Sequence, residues 1–326
     1  MAIDTIRFFF KKLASVQHQQ IYEQVLSGLI AHKSEIAITN RCSSNELGNI
    51  LEYVVRDYPQ LFFVAKSSTT VFNGKMKLIP DYLYSQADAR YMQKQIDVKV
   101  SALLQSALHS TADIIDKERA IFAHLVQNTK YNYVAGADRD TEYSMVGPLL
   151  KGKSVCEGYS KAFKYLCDAI KLPCAVVFGS AIAPHGGDEL HAWNIIRAKG
   201  VCYHVDVTWD SCLNDAPHYD YFNLSDKELE CDHTWDRTLF PQCNTVFSPV
   251  HYVTGKKEFE KLVISQLTRN IKTFPVKFNK QFNDVSEILE MVRVFLSNAP
   301  YAVTGGSYQF QVRYNKHQSK AVISLS

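Results

Sequence analysis

The sequence predicts an α+β fold in three parts, and two observations lead to this prediction. Apolar residues recur at helical spacing in some segments, and these segments alternate with short β-rich runs. The chain has 326 residues, which is enough for two or three domains. We place the parts at residues 1–110, 111–245 and 246–326.

The first part has the pattern of a small α+β module. Residues 17–32 and the segment that starts at Ser44 carry apolar residues at helical spacing, and a short strand at residues 35–38 lies between them. Two β-rich runs then surround Asn73-Gly74, which is a strong signal for a β-hairpin. A third helix completes the module.

The last part repeats this order of elements. A helix, a strand and a second helix come before Pro300, and two strands follow it. Ile36 and Ile38 of the first part correspond in position to Phe274 and Val276 of the last. As a hypothesis, two αβαββ modules flank a middle domain. The alternative is that generic α+β segments resemble each other by chance.

The middle part carries a cysteine at the start of a predicted helix. Ser154 and Glu157 form an S-x-x-E pattern, which predicts a capping box and makes Cys156 the second residue of the helix. The positive end of a helix dipole stabilises a thiolate, so Cys156 is a candidate nucleophile. A small buried residue at a helix start is the other interpretation of the same position.

A predicted hairpin carries a histidine and an aspartate that could complete such a site. Two β-rich runs are separated by a tight turn at Lys199-Gly200. With a two-residue loop, His191 and Asp206 become diagonal neighbours on one face of the hairpin. A four-residue loop would place them directly opposite each other. A three-residue loop would place them on opposite faces unless a bulge intervened.

The sequence around these residues resembles the core motifs of bacterial transglutaminase-like proteins. A thiolate, an imidazole base and a carboxylate that orients the imidazole form a general arrangement for covalent acyl transfer. The resemblance is strong over roughly residues 111–245 and weak in the flanks. The matching motifs include Cys156-Glu157-Gly158-Tyr159, His191-Ala192-Trp193-Asn194, His204-Val205-Asp206-Val207-Thr208-Trp209, Tyr221-Phe222-Asn223 and Asp232-His233-Thr234-Trp235.

The resemblance implies a papain-related core, in which the helix with the cysteine packs on an antiparallel sheet with the histidine and the aspartate. It also implies a triad of Cys156, His191 and Asp206. Because Cys156 is at the start of the predicted helix, we expect its backbone N–H to be an oxyanion donor. The superfamily includes transamidases, thiol peptidases, peptide N-glycanases and members without catalysis. We therefore expect acyl transfer on peptide or protein amide bonds. A catalytically silent peptide-binding scaffold is the alternative.

Four further residues near the motifs are candidates for contacts with the substrate or the oxyanion. Trp193 shares a strand face with His191, and His204 shares one with Asp206. A histidine in such a position is more often a partly buried structural residue. These candidates are Glu157, Tyr159, Trp193 and His204.

A tetrahedral zinc site is a weaker alternative for the cysteines and histidines of the middle part. The residue types are suitable, but their spacing matches no compact zinc motif. We therefore predict no metal and no cofactor. The ligands of such a site would come from Cys202, His204, Cys212, Cys231, His233 and Cys243.

Composition and charge exclude several classes of protein. Hydrophobic residues make up 46% and charged residues 21% of the chain, which excludes a disordered protein. A net charge of +3 gives no reason to expect a nucleic-acid partner. Neither a secretory h-region nor an apolar run long enough to span a membrane is present. We expect a cytoplasmic protein that acts on a peptide or protein substrate, with signal-independent secretion and the oligomeric state left open.

Overall fold

The protein has an α+β fold, which confirms the predicted fold class, and it contains four sheets in the parts that the structure describes. In this computed structural model, an N-terminal unit, a central unit and a C-terminal unit follow one another along the chain. The domain boundaries at residues 110 and 245 stay a prediction. The structure describes residues 5–13, 15–72, 75–108, 112–133, 138, 140–182, 187–213, 219–247, 251–279, 282–298 and 309–326.

The N-terminal unit is a three-stranded antiparallel sheet with helices. Its strand order is β1-β3-β2. Ser43 caps helix α2 in a complete capping box with Glu46, which satisfies backbone groups at the helix start. The Asn73-Gly74 turn predicted for the hairpin lies outside the described residues. The elements are α1 (Val16–Ile30), β1 (Ile36–Ile38), α2 (Ser44–Asp57), β2 (Val64–Phe72), β3 (Lys75–Tyr82) and α3 (Gln86–Leu108).

The central unit packs helix α5 on a four-stranded antiparallel sheet of order β8-β7-β6-β9. Two further strands, β4 and β5, pair in parallel next to the start of α5. The elements are α4 (Ile114–Asn128), β4 (Lys130–Tyr131), β5 (Lys153–Ser154), α5 (Cys156–Ala169), β6 (Cys174–Ile182), β7 (Asp188–Ala198), β8 (Val201–Val205), α6 (Val207–Leu213), α7 (Asp226–Leu229) and β9 (His233–Trp235).

The β7–β8 hairpin has the predicted register. Ala198 pairs with Val201, so the loop consists of two residues. Lys199 and Gly200 both have positive φ angles, of 49° and 84°, as a tight hairpin turn requires. Right-handed strand twist favours this turn, and the turn fixes which residues of the two strands lie near each other.

Packing and hydrogen bonds hold α5 against this sheet. The Nδ2 atom of Asn194 in β7 donates to the carbonyl oxygen of Ser160 in α5 at 3.0 Å. Phe163 and Leu166 of the helix are fully buried, and each such side chain contributes about 1.5–3 kcal/mol of hydrophobic stabilisation. The helix start is therefore fixed relative to β7.

The C-terminal unit has a core of its own, whereas the N-terminal and central units share one. Its strand order is β10-β11-β13-β12, and β11, β13 and β12 reproduce the first-third-second order and the antiparallel pairing of the N-terminal sheet. Arg313 binds Asp220 of the central unit at 2.7 Å. None of the described helices is long and apolar enough to cross a membrane. The elements are β10 (His251–Val253), α8 (Lys256–Thr268), β11 (Thr273–Phe278), α9 (Ser286–Asn298), β12 (Phe310–Asn315) and β13 (Lys320–Leu325).

Candidate active site

Helix α5 begins at Cys156 itself, and the capping box predicted before it is wrong. Ser154 belongs to β5, and its hydroxyl donates to the carbonyl oxygen of Glu142 at 2.9 Å. The Glu157 carboxylate instead accepts a hydrogen bond from Lys161, one turn along the helix, at 2.6 Å. Because strand pairing keeps Ser154 extended, the helix starts only after it. Cys156 is thus the first helical residue, where backbone N–H groups have no partner within the helix.

His191 and Asp206 form a buried pair at the end of the hairpin. The Nε2 atom of His191 lies 2.7 Å from Oδ2 of Asp206, so the predicted diagonal contact is present. The other carboxylate oxygen, Oδ1, accepts hydrogen bonds from the backbone N–H groups of Thr208 and Trp209, at 2.8 Å and 3.1 Å. These donors, at the start of α6, fix the orientation of the carboxylate.

The charges of this pair follow from its contacts. Burial by itself lowers the pKa of His191, but the charge and hydrogen bond of Asp206, together with Cys156, raise it to about 10. Burial opposes ionisation of Asp206, but His191 and His233 hold the pKa of its carboxyl below the ordinary value. An imidazolium therefore faces a carboxylate at neutral pH.

The side chain of Cys156 lies within hydrogen-bonding reach of the His191 imidazole. Because Nε2 is occupied by Asp206, this contact involves Nδ1. Cys156 is partly exposed, whereas His191 and Asp206 are buried. The structure thus brings together the three residues predicted as a triad, and Cys156 is the one of the three that is partly exposed.

Two tryptophans lie beside His191 at different distances from the imidazole. Trp209 stacks on the imidazole with ring centroids 4.5 Å apart, which suits a cation against an aromatic face. Trp193 is farther away, at 6.0 Å, and is buried. Its indole N–H donates to Nδ1 of His204 at 3.1 Å. The prediction that Trp193 contacts the substrate is therefore wrong, because it lies inside the core behind the imidazole.

His204 is also a structural residue, so the prediction of a substrate contact is wrong for it. It is completely buried, and Nε2 lies 2.9 Å from Oδ1 of Asp226. Because Nδ1 accepts the hydrogen bond from Trp193, the ring proton belongs on Nε2 and the imidazole is neutral. Burial lowers the pKa of His204 in spite of Asp226.

The remaining two candidates have different outcomes. Tyr159 is fully buried, and its hydroxyl donates to the carbonyl oxygen of Thr129 at 2.7 Å and lies 2.8 Å from Oγ of Ser211. It supports the fold and cannot reach a substrate. Glu157 is partly exposed and, with Lys161, lines a cavity of about 610 Å³ against the N-terminal unit. A substrate contact of Glu157 stays a prediction.

His233, which the sequence suggested only as a possible zinc ligand, contacts the same carboxylate as His191. Its Nε2 atom lies 3.1 Å from Oδ2 of Asp206, and its Nδ1 atom lies 2.6 Å from Oδ1 of Asp232. The signal for this residue was the Asp232-His233 motif, which belongs to the family resemblance but lies outside the hairpin. Its position beside Asp206 depends on the pairing of β9 with β6.

A second thiol, Cys212, and the hydroxyl of Tyr131 lie close enough to Cys156 to interact with it electrostatically. Tyr131 and Tyr133 have ring centroids 4.8 Å apart, and Tyr133 is hydrogen-bonded to Cys212. Burial raises the pKa of the Cys212 thiol to about 12, although the hydrogen bond from Tyr133 opposes this. Cys212 is therefore a neutral thiol at physiological pH and does not compete as a nucleophile.

The side chains that come close enough to hold a metal do not fit one. In the described part of the chain, two groups qualify by distance: His191 with Asp206 and His233, and His204 with Asp226 and Cys243. His204 has no free lone pair, because Nδ1 accepts from Trp193 and Nε2 carries the proton. In the first group, both nitrogens of His233 face carboxylates. The hydrogen bonds therefore argue against the zinc alternative.

Comparisons with known proteins agree with the predicted family. A model of the transglutaminase-like superfamily matches residues 101–207, a segment that contains Cys156, His191 and Asp206. The kyphoscoliosis peptidase of Mus musculus is 25% identical over 142 residues, which cover 41% of this chain and 22% of that protein. The peptidase of the same name from Homo sapiens is 29% identical over 129 residues, which cover 37% of this chain and 19% of that protein. The chain thus spans about a fifth of the length of these curated relatives.

Solved structures give a weaker likeness. A crystal structure of a TGase is 16% identical and covers 53% of this chain and 50% of its own, with a TM-score of 0.28. The periplasmic domain of TgpA from Pseudomonas aeruginosa, bound to ethylmercury, is 18% identical. It covers 41% of this chain and 55% of its own, with a TM-score of 0.26. At such TM-scores these superpositions carry no argument about the site.

Proposed function

We propose that the chain is a thiol enzyme that transfers the acyl group of a peptide or protein amide bond, and the match of a transglutaminase-like superfamily model to residues 101–207 supports this proposal. The observation that carries the proposal is the line of contacts from Cys156 through His191 to Asp206. Acyl transfer by a thiol requires a nucleophilic sulfur, a group that protonates the leaving amine and a carboxylate that orients this group. The three side chains supply these functions in the required order.

In the proposed reaction, the thiolate of Cys156 attacks the carbonyl carbon of the amide. Backbone N–H groups at the start of α5, including that of Cys156, stabilise the negative charge on the carbonyl oxygen. The His191 imidazolium then donates its Nδ1 proton to the departing nitrogen, so a free amine leaves and a thioester remains. Asp206 accepts the hydrogen bond from Nε2 throughout and keeps the ring in the correct orientation.

Either water or a second amine resolves the thioester. The neutral imidazole of His191 takes a proton from the attacking water or amine, and cleavage of the thioester restores the thiolate and the imidazolium. Cys156 is partly exposed, so water can approach this residue. This access favours hydrolysis, by a peptidase or amidase, over transamidation.

The test uses labelled casein together with a fluorescent primary amine. Peptide release measures hydrolysis, and covalent incorporation of the amine measures transamidation. We expect Cys156→Ala and His191→Ala to reduce turnover by at least about 10³-fold, because nucleophile and base act as one unit. The matched control is Cys231→Ala, which removes an exposed thiol and should leave turnover within about twofold. Circular dichroism verifies that each variant is folded.

The outcomes separate the candidate functions. Peptide release without incorporation supports a hydrolase, and incorporation supports a transamidase. Full turnover in Cys156→Ala would contradict the proposal. The wild-type protein could neither release peptide nor incorporate the amine, and Cys156 could react with iodoacetamide no faster than Cys231. In that case the silent scaffold would be the better description.

A further inference from the structure

We propose that His233 is an imidazolium at neutral pH and acts as a positioning residue of the triad, as the second cation on Asp206. The inference rests on the proposed function, because it concerns the carboxylate that orients His191. His233 begins β9, the edge strand of the central sheet, and its side chain is buried beside the pair. Neither the superfamily model, which ends at residue 207, nor the hairpin includes it.

The contacts of His233 fix its charge. Nε2 lies 3.1 Å from Oδ2 of Asp206, and Nδ1 lies 2.6 Å from Oδ1 of Asp232. An ionised carboxylate only accepts hydrogen bonds, so each ring nitrogen of His233 has to donate. Only the imidazolium has two N–H groups. Burial by itself lowers the pKa of His233, but the hydrogen bonds to Asp206 and Asp232 raise it above the ordinary value.

Asp232 is itself held in place by a buried partner. Its Oδ2 atom accepts a hydrogen bond from the hydroxyl of Tyr221 at 2.7 Å. Tyr221 is in turn hydrogen-bonded to Asn315, which belongs to the C-terminal unit. The imidazolium of His233 is thus supported by a carboxylate whose orientation is fixed by two parts of the fold, and solvent has no access to it.

The positive charge of His233 affects the pKa of His191. Oδ2 of Asp206 accepts from both imidazoles, and the two ring centroids lie 5.4 Å apart. A second positive charge at that distance makes protonation of His191 less favourable than Asp206 alone would make it. This matters because the imidazolium has to give its proton to the leaving amine. The titratable groups that face His233 are His191, His204, Asp206, Tyr221 and Asp232.

The first test measures which ring nitrogens carry protons. In protein labelled with ¹⁵N-histidine, imidazole nitrogen shifts distinguish protonated from unprotonated nitrogens. We expect both nitrogens of His233 to be protonated at pH 7. His204 is the matched control in the same spectrum, and its Nδ1 should be unprotonated because it accepts from Trp193. An unprotonated nitrogen on His233 at pH 7 would overturn the proposal.

The second test measures the effect on His191. His233→Gln keeps a hydrogen-bond donor but removes the charge, and His204→Gln is the matched control at a buried histidine that lies outside the triad. Both are made in Cys156→Ala, so that the thiol does not titrate. We expect the pKa of His191 to rise by at least about 0.5 pH unit in the first variant and to stay unchanged in the second. An unchanged or lowered pKa in His233→Gln would show that His233 only supports the fold.

A third variant keeps the proposal testable if His233→Gln does not fold. Asp232→Asn retains an acceptor for Nδ1 of His233 but removes its charge, so the pKa of His233 should fall. An unchanged pKa would overturn the proposal. None of these measurements requires turnover. The proposed function is tested separately by the dependence of turnover on Cys156, so failure of one proposal is distinguishable from failure of the other.

Discussion

Two buried histidine–carboxylate pairs of the central unit have nearly the same geometry but opposite electrostatics. His191 lies 2.7 Å from Asp206, and His204 lies 2.9 Å from Asp226. The pKa of His191 is raised to about 10, because the effect of Asp206 outweighs burial. Burial prevails for His204, whose pKa is lowered although a carboxylate is just as close.

The difference lies in the second ring nitrogen and in how buried the carboxylate is. The indole N–H of Trp193 donates to Nδ1 of His204, so this nitrogen cannot take a second proton. The corresponding nitrogen of His191 faces the side chain of Cys156. Asp226 is also partly exposed, whereas Asp206 is fully buried. A neighbouring carboxylate therefore does not by itself identify a catalytic histidine, and the partner of the other nitrogen has to be known.

Replacing each aspartate with asparagine tests most directly whether the two pairs have different roles. Asparagine keeps an oxygen that can accept from the histidine but removes the charge. Asp206→Asn should reduce kcat by about 10²- to 10⁴-fold, because the imidazolium loses its counter-charge and its fixed orientation. The loss should be smaller than in Cys156→Ala, since nucleophile and base remain.

The matched variant Asp226→Asn should leave kcat within about threefold. A neutral His204 needs only an acceptor for its Nε2 proton, and the amide oxygen provides one. Steady-state kinetics on the casein substrate measure both variants, with urea unfolding as a check of stability. Equal losses in kcat at the two positions would show that both pairs have the same role.

The dependence of kcat on pH above neutrality distinguishes the two pairs further. Turnover requires the proton on His191, whose pKa is raised to about 10, so kcat should fall as the pH rises through about 10. In Asp206→Asn the cause of the raised pKa is removed, and the fall should occur at lower pH. Asp226→Asn should not shift it. The measurement is kcat between pH 7 and pH 11.

Alkylation with iodoacetamide is the control for the pH series. Reaction of the thiolate needs no proton donor, so its rate should not fall above pH 10 as turnover does. A parallel fall of both rates would point to unfolding instead of deprotonation of His191.

Local patterns predicted the part of the site that depends on local geometry. The Lys199-Gly200 turn fixes the hairpin register, and the register alone places His191 beside Asp206. The capping prediction at Ser154 failed because the same residue pairs as a strand with β4, a contact of distant origin in the sequence. A four-residue pattern contains no information about such a partner.

The roles of the other histidines and tryptophans required the tertiary structure. Alternation in β7 correctly placed Trp193 on the His191 face, but it could not show that His204 would accept from its indole. His233 reaches Asp206 across 27 residues, through the pairing of β9 with β6. Periodicity describes which face of an element a side chain occupies, whereas these contacts depend on how separate elements pack.

A third buried carboxylate, Glu118, extends the comparison to a group without an imidazole partner, where the expected effect is on stability and not on turnover. Its Oε2 atom accepts from the amide of Asn223 at 3.1 Å. Burial raises the pKa of Glu118 to about 8, against smaller opposing effects of Asn223 and Arg119. The folded protein therefore keeps a proton that the unfolded chain releases above about pH 4.3. It follows that Glu118 makes the free energy of unfolding fall as the pH rises from about 4.5 to about 8.

Glu118→Gln should remove this pH dependence, because glutamine has the same shape and does not ionise. Relative to wild type, the variant should gain on the order of 3–4 kcal/mol in unfolding free energy between pH 5 and pH 8, as measured by urea denaturation. The same substitution at the exposed Glu52 is the control and should show no such gain. A constant difference between Glu118→Gln and wild type across this range would mean that Glu118 is ionised in the folded protein. In that case a buried carboxylate of this core could ionise without an imidazole partner. Asp206 would then depend less on His191 and His233 for its charge than proposed.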